Sequence, residues 1–200
     1  MEKMTKRKQQ ALATKTHILE TAFSLNEHEG FENITVQEIC QAAGVSVGAF
    51  YHYFSSKESM ILEWYKLVDE IFDREVMPEL RVSEMDSIQK ISRFAEHLIN
   101  QACTYGKESL AQLYRAQLAH NGAGFFSDER ALLSYLVELV SAGQSDGEII
   151  CDVPAEQIAR ELLIVMRGAI LDYICGGSAE PVDQITRMAA HYLNSYRTQK

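Results

Sequence analysis

The chain has 200 residues, of which 46% are apolar and 24% charged, and its net charge is −9. These values suit a globular protein with one domain, or with a small domain joined to a larger one. The negative net charge excludes a protein that binds polyanions over its whole surface. No apolar run reaches the roughly 18 residues of a membrane span, and no apolar segment follows the charged start, so we expect a cytoplasmic protein without membrane contact. The four cysteines lie far apart in no metal-ligand spacing, so the sequence predicts no metal site.

Positive charge is concentrated at the N-terminal end of the chain. Residues 1–19 contain five lysines and arginines against one acid, a balance of +4, so the remaining residues carry −13. Because an acidic surface repels phosphates, any contact with nucleic acid is predicted at this end. The alternative is a solvated basic terminus that contacts nothing.

The first predicted helices are short and have clear boundaries. Apolar residues recur at helical spacing from Thr14 to Glu29, and Gly30 follows as a C-terminal cap. A second helix begins at Thr35, because Thr35 and Glu38 have the spacing of a capping box. The second helix ends at the next glycine, Gly44, after two turns.

The sequence after this point also predicts helices. A third helix begins at Ser46, and Ser55 begins a second capping box that opens a fourth helix ending near Pro78. The remaining helices are predicted near Asp86–Tyr105, Glu108–His120, Asp128–Ala142, Pro154–Cys175 and Pro181–Tyr196, separated by glycine-containing segments at 122–124, 143–147 and 176–178. Only Glu148–Val153 alternates like a strand, and it is too short to assign. The predicted fold class is all-α, with three helices followed by about six.

The second and third helices carry the chemistry that indicates a function. Two short helices joined by a tight turn with glycine are typical of a helix-turn-helix, whose second helix enters the major groove of DNA. Small residues at the start of that helix allow it to lie deep in the major groove, and hydrogen-bond donors beside it reach the DNA phosphates. The leading residues here are Val47, Gly48 and Ala49, and the donors are Tyr51, His52, Tyr53 and Lys57.

Four residues of this region also have structural interpretations. The charge of Lys57 on the first turn of a helix opposes the helix dipole, which favours a phosphate partner over a solvated lysine. Tyr51 and Phe54 are spaced as core residues, and we assign Phe54 to the core and Tyr51 to phosphate contact, since its ring and hydroxyl can serve both purposes. Ser46 can be a helix cap alone.

The order and spacing of these residues closely resemble the DNA-binding region of the tetracycline-repressor (TetR) family over about a quarter of the chain. The matching residues are Ile18, Leu19, Ala22, Phe23, Gly30, Phe31, Thr35, Val36, Ile39, Ala43, Gly44, Val45, Ser46, Gly48, Tyr51, Phe54, Lys57 and Glu58. Cys40 departs from the alanine usual in the family, and both side chains are small enough to be buried.

The resemblance implies a homodimer of all-helical chains, each with an N-terminal three-helix DNA-binding domain and a C-terminal helical domain. These correspond to residues 1–57, with a basic arm at 1–13, and to residues 58–200, which bind an effector and form the dimer. The implied partners are a double-stranded DNA operator, a second copy of the chain and a small-molecule effector. The implied DNA-binding residues are Thr35, Ser46, Val47, Gly48, Ala49, Tyr51, His52, Tyr53 and Lys57.

Residues of the C-terminal domain are candidates for the effector pocket and the dimer contact. The pocket candidates are Trp64, His97, Tyr105, Tyr114, Arg115, Phe125, Phe126 and Tyr135. The dimer candidates form an apolar stripe on the penultimate helix: Ile158, Leu162, Val165, Met166, Ala169 and Tyr173. Core packing within one chain is the alternative for both sets, and His97 or Arg115 can pair with an acid such as Glu96 or Glu138 instead of a ligand.

The predicted function is a DNA-binding transcriptional regulator, a repressor that a small-molecule effector releases from a near-palindromic operator. The alternatives are a regulator of the same fold that needs no effector, and one that responds to oxidation of Cys103 or Cys151. No nucleophile elbow, phosphate-binding loop or dinucleotide-binding glycine pattern is present. The sequence therefore predicts no catalytic residue, no enzyme activity and no cofactor.

Overall fold

The computed structural model describes residues 6–29, 33–104, 106–119 and 130–198. The elements in chain order are α1 (Lys6–Glu29), α2 (Val36–Ala43), α3 (Val47–Tyr53), α4 (Lys57–Ile71), a π-helical turn (Phe72–Val76), α5 (Met77–Val82), α6 (Ser87–Cys103), α7 (Gly106–Ala119), α8 (Ala131–Ser145), α9 (Ala155–Ile174) and α10 (Pro181–Asn194). Extended pairing in these ranges is confined to one antiparallel bridge between Ile149 and Arg197. The prediction of an all-α fold is confirmed.

The chain divides into two compact units, which are described separately. Unit 1 is Met1–Leu67 with Tyr105–Asn121, and unit 2 is Val68–Thr104 with Gly122–Lys200. This division differs from a boundary after residue 57, because α4 continues to Leu67 within unit 1 and α7 packs on α1. The functional assignment of residues 1–57 and 58–200 stays a prediction.

Helix α1 begins at Lys6, eight residues before the predicted start at Thr14. The prediction of a basic arm over residues 1–13 is therefore wrong from Lys6 onward. The reason is local, since lysine, arginine, glutamine, alanine and leucine all have high helix propensity, and residues 6–12 contain only these types. Further along, Ile18, Leu19, Ala22 and Phe23 form the buried face of the helix.

The caps of α2 and α3 agree with the sequence. The Thr35 hydroxyl accepts a hydrogen bond from the Glu38 amide at 3.2 Å, and the Glu38 carboxylate accepts one from the Thr35 amide at 2.7 Å, so the capping box is confirmed. Gly44 ends α2 with a φ of 65°, a conformation that glycine adopts at little cost. Ser46 caps α3 by accepting a hydrogen bond from the Ala49 amide at 3.1 Å.

The cap of α4 lies one residue later than predicted. Ser56 and Ser59 are reciprocally bonded, with the Ser56 amide 2.9 Å from the Ser59 hydroxyl and the Ser59 amide 3.1 Å from the Ser56 hydroxyl. The helix therefore begins at Lys57 with Ser56 as its cap, one residue after the predicted cap Ser55. A serine in the third helical position replaces the usual acidic or amide residue, so the sequence pattern for a capping box does not find it.

The helix that begins at Lys57 does not end near Pro78 but continues through a π turn to Val82. A proline inside an α-helix has no amide hydrogen, and its ring clashes with the carbonyl four residues earlier. The turn before Pro78 is wider, with the Met77 amide bonded to the carbonyl of Phe72, five residues back. Pro78 then occupies the first turn of α5, where proline is tolerated.

Unit 2 is built around α6, α8, α9 and α10, with α8 packed on α9 and α10 packed on both α6 and α9. Gly143 was predicted to separate helices, but it lies inside α8 and is buried. A Cβ atom there would lie 2.5 Å from the Ser87 hydroxyl, so glycine is needed for the close approach of these two helices. Across the described ranges, no helix is both long and apolar enough to cross a membrane.

One corner of unit 2 ties together segments distant in sequence. The Glu148 carboxylate accepts a hydrogen bond from the Ser87 amide at 2.7 Å, and the Glu148 carbonyl accepts one from the Thr198 amide at 3.0 Å. The Ile150 amide donates to the Tyr196 carbonyl at 2.9 Å. The bonds from Ser87 lower the pKa of Glu148.

Candidate nucleic-acid interface

Helices α2 and α3 form a helix-turn-helix around the Gly44 turn. The Val45 amide donates to the Cys40 carbonyl at 2.9 Å, which closes the turn after α2. Ile39 and Cys40 of α2 and Phe50 of α3 are buried, so one face of each helix belongs to the core of unit 1. Burial of that face leaves the opposite face of α3 toward solvent.

The exposed face of α3 is slim at its leading edge. Gly48 is exposed, Val47 is 38% exposed and Ala49 is half-buried. A Cβ atom on Gly48 would have its nearest neighbour at 3.8 Å, in the Ser46 hydroxyl, so packing does not require glycine here. The absence of a side chain instead keeps the surface low where a base edge would approach.

Aromatic residues occupy the other end of α3. Tyr51 is 55% exposed, and its ring lies edge-on to Phe50 with centroids 5.4 Å apart. The His52 and Tyr53 rings are 4.9 Å apart in a T-shaped pair. Phe54 is buried, as the sequence analysis assigned it. Tyr51 is therefore largely exposed while its ring contacts the buried Phe50.

Two predicted phosphate contacts also have internal partners, of which the capping box predicted the one of Thr35 and the sequence analysis missed the one of Lys57. The Thr35 hydroxyl donates to the Glu38 carboxylate at 2.8 Å, and the Lys57 ammonium donates to the Ile34 carbonyl at 2.8 Å. The amide and hydroxyl of Thr35, with the nearby charge of Lys57, lower the pKa of Glu38. Lys57 thus fastens the start of α4 to the segment before α2, in addition to its predicted role.

The pocket candidates of unit 1 have different environments. Trp64 is buried, and its ring lies 6.4 Å from that of Phe23 and 5.3 Å from that of Tyr65, in edge-on contacts of the core. Tyr114 is half-buried. The Arg115 side chain is 59% exposed and lies 3.4 Å from the Glu108 carboxylate, so it pairs with an acid other than the two that were considered.

The pocket candidates of unit 2 are paired with acids. His97 lies 3.6 Å from the Glu79 carboxylate rather than beside Glu96. The Tyr135 hydroxyl donates to Asp73 at 3.0 Å, and burial together with this bond raises the pKa of Tyr135 to about 12. Glu138 bonds to Arg81 at 2.7 and 2.8 Å. Tyr105, Phe125 and Phe126 lie outside the described residues.

The dimer candidates on α9 are largely internal to the protomer. Four of them are at most 2% exposed: Ile158, Leu162, Met166 and Ala169. Val165 and Tyr173 are half-buried. The four buried side chains cannot meet a second copy, because α8 and α10 already pack on this helix, so core packing is the correct interpretation for them. The exposed apolar residues of α9 are instead Ile164 and Leu171.

Polar residues buried in the two units were not found from the sequence. In unit 1, α7 buries Ser109, Gln112 and Gln117. In unit 2, the Arg130 guanidinium forms two bonds to Asp69, at 2.7 and 3.0 Å, and both side chains are largely buried. The Asp69 carboxylate also accepts a bond from the Ala131 amide, so it caps α8. The partners are about 60 residues apart, and no local pattern indicates such a pair.

Comparison with known proteins agrees with this geometry. A sequence model described as "Bacterial regulatory proteins, tetR family" matches residues 18–64, which include the helix-turn-helix. The chain is 28% identical over 192 residues to the HTH-type transcriptional repressor KstR2 of Rhodococcus jostii, covering 90% of this chain and 87% of the relative. It is 24% identical over 194 residues to the HTH-type transcriptional repressor NemR of Escherichia coli, covering 92% and 94%.

Solved structures show the same fold. The reduced form of E. coli NemR superimposes with a TM-score of 0.67 at 23% identity, covering 94% of this chain and all of that one. Thermus thermophilus FadR, described as a TetR-family transcriptional repressor in complex with lauroyl-CoA, gives 0.66 at 21% identity, covering 90% and 91%.

The fold and the exposed recognition helix define a helix-turn-helix transcriptional regulator that binds DNA. More particularly, residues 18–64 match the TetR-family model, and the full-length relatives that resemble this chain are HTH-type transcriptional repressors.

Proposed function

We propose that this regulator is a homodimeric repressor that binds a near-palindromic operator and leaves it when a small-molecule effector binds. The observation that carries the proposal is the slim, exposed edge of α3 beside the Gly44 turn. The relatives KstR2 and NemR are described as repressors, which supports repression over activation.

The interface residues divide into two roles. Val47, Gly48 and Ala49 contact base edges, since they lie on the outward face at the start of α3. The hydroxyl groups of Tyr51 and Tyr53 and the imidazole of His52 contact phosphates. The N-terminus of α2, which consists of Thr35 and the backbone amides of the first turn, also contacts a phosphate. Ser46 serves as a cap, and Lys57 serves both as a clamp on Ile34 and as a phosphate contact.

The dimer contact uses the outward face of α9. Ile164, Gly168 and Leu171 are exposed and spaced i, i+4, i+7, so they share one face. A Cβ atom on Gly168 would meet no other atom within 4 Å, so the protomer itself leaves this position open. A second copy of α9 can approach closely at such a glycine and cover the two apolar side chains.

The effector site is proposed for the helices after the DNA-binding region. Support comes from the FadR structure, whose description names lauroyl-CoA as its ligand. The protein has one form that binds DNA and one that does not. An effector releases DNA only if its affinity for the second form exceeds its affinity for the first. His97, which lies 3.6 Å from the Glu79 carboxylate, and Tyr135, which donates to Asp73, are the described candidates in unit 2.

A thiol-responsive regulator is the second candidate. Cys103 is half-buried and contacts Tyr173, whose pKa is raised by burial and then by the neighbouring thiol. NemR, with a solved structure described as the reduced form, is similar over most of its length. Peroxide that weakens DNA binding by the wild-type protein but not by Cys103→Ser would favour this candidate over an effector. Cys151→Ser is the matched control, since Cys151 is exposed and was the other predicted thiol.

The test of the proposed function is selection of duplexes from a random library by the wild-type protein. We expect an enriched sequence with two related half-sites about one helical turn, or a multiple of it, apart. Sedimentation of the complex should show two protomers for each duplex. Absence of any enriched sequence would contradict the proposal.

A further inference from the structure

A polar groove lies between the first turns of α1 and the end of α3. It has a volume of about 460 Å³. Its principal polar lining residues are Lys6, Arg7, Gln10, Thr14, His52 and Tyr53. All of them come from unit 1, so the groove is a property of that unit alone.

A second groove follows the other side of the same stretch of α1. It measures about 720 Å³, and Lys6, Gln10 and Thr14 line it together with His17 and with Val45 of the turn. The row Lys6, Gln10, Thr14 therefore lies between the helix-turn-helix turn and the end of α3. This row flanks the predicted recognition helix.

The charge of the two grooves differs from that of the whole chain. The net charge of the chain is −9, yet no described lining residue of either groove is acidic. Lys6 and Arg7 are exposed, and neither forms an ion pair with another described residue. The grooves therefore present cations and neutral hydrogen-bonding groups without a neutralising partner from the protein's described residues.

The position of the two cations is unfavourable for the helix. Lys6 and Arg7 occupy the first turn of α1, which contains no acidic residue. The first turn of a helix is its positive end, so cations there destabilise it and acids stabilise it. Stability alone does not explain this choice of residues, whereas an anionic partner does.

We infer that the groove between α1 and α3 seats the sugar–phosphate strand of DNA beside the base pairs that α3 reads. Lys6 and Arg7 bind phosphate oxygens, and Gln10 and Thr14 line the path of the strand. The inference rests on the proposed function, because it requires α3 to lie in the major groove. It gives the basic N-terminal end, where contact with nucleic acid was predicted, a defined place in the interface as the first turns of α1.

The first test compares salt dependence on a mixed-sequence duplex, since phosphate contacts do not depend on sequence. Each phosphate contact contributes about −0.9 to the slope of log affinity against log salt concentration. The double variant Lys6→Gln, Arg7→Gln should therefore have a slope shallower by about 1.8. A slope equal to that of the wild-type protein would overturn the inference.

The second test places one negative charge in the groove. Gln10→Glu should lower affinity for the same duplex, while Ser24→Glu, on the same helix and about 21 Å further along, should not. An acid at Gln10, near the start of α1, should keep or raise the melting temperature, so a loss of affinity cannot come from unfolding. Equal affinities for the two variants would overturn the inference.

The two proposals fail in distinguishable ways. If the wild-type protein binds no duplex, both the proposed function and this inference are wrong. If the wild-type protein binds and Ala49→Phe removes its sequence preference, but the groove variants match the wild type, only the inference is wrong. Ethylation of operator phosphates gives an independent readout, because the double variant should lose interference at phosphates that Ala49→Phe leaves unchanged.

Discussion

Helices α3 and α9 differ in the burial of their apolar residues. Helix α3 has seven residues, buries only Phe50 and leaves Val47 and Tyr51 exposed. Helix α9 has 20 residues and buries seven of them, yet Ile164 and Leu171 stay exposed. An apolar stripe in sequence therefore identifies a covered face, but it does not say whether the cover belongs to the same chain.

The strongest test of this comparison is a core substitution in α9. Met166 is fully buried, so Met166→Ala should lower the free energy of unfolding by about 2–5 kcal/mol, the usual cost of such a cavity. Urea unfolding followed by circular dichroism measures it. A change below about 0.5 kcal/mol, typical of an exposed position, would show that Met166 is not in the protomer core.

The exposed face of α9 should behave in the opposite way. Ile164 is 62% exposed, so Ile164→Asp should change the unfolding free energy of the protomer by less than about 1 kcal/mol. It should nevertheless shift the monomer–dimer equilibrium toward monomer in sedimentation velocity, because a charge would be buried at the proposed contact. Val82→Asp, at an apolar position of α5 that is 82% exposed and outside the proposed contact, is the control. An unchanged dimer would contradict the proposed contact face.

The exposed edge of α3 gives a smaller and more selective effect. Ala49→Phe should weaken binding to the selected operator more than to mixed-sequence DNA, because it obstructs approach to base edges. Lys57→Ala should weaken binding to both duplexes about equally. It should also make the slope of log affinity against log salt concentration shallower by the amount that one phosphate contact contributes. Since Lys57 also bonds to the Ile34 carbonyl, this variant should melt earlier as well. Equal losses on both duplexes from both variants would contradict the groove assignment.

The smallest expected effect is a pH dependence in unit 2. Hydrogen bonds from Ser87 lower the pKa of Glu148 in the folded protein. The ionised carboxylate therefore stabilises the folded state at pH values above the ordinary glutamate pKa. That stability should be lost as the pH falls through the lowered value. The contribution should be below about 1 kcal/mol, because the carboxylate is only partly shielded from water. Urea midpoints of wild type and Glu148→Gln should converge at low pH, and a constant difference would contradict this account.

Local features of the fold could be predicted from the sequence. The Thr35–Glu38 box, the Ser46 cap and the Gly44 turn depend on residues within a few positions, and all are present. Thr35 and Gly44 also set the limits of α2 to the residue. These positions determine the helix-turn-helix, which explains why its identification succeeded.

Features that depend on distant residues could not be predicted. Asp69 meets Arg130, and Lys57 meets the Ile34 carbonyl, through packing that no spacing rule encodes. Gly143 reads as a helix breaker in sequence, but it is in fact required for the approach of Ser87. Ile158, Leu162, Met166 and Ala169 on α9 are covered by helices of the same protomer, and the sequence does not specify which helix covers such a stripe.

The π turn at Phe72–Val76 has a consequence for the phase of the helix that contains it. The buried residues Val68, Phe72, Val76 and Leu80 recur every fourth position. In an uninterrupted α-helix such a row winds around the axis by about 40° per step, so its last member would point well away from its first. A turn that holds one extra residue rewinds the row by about 100° and returns Leu80 to the core side. The number of residues in this turn, more than their identity, sets the rotational phase of α5.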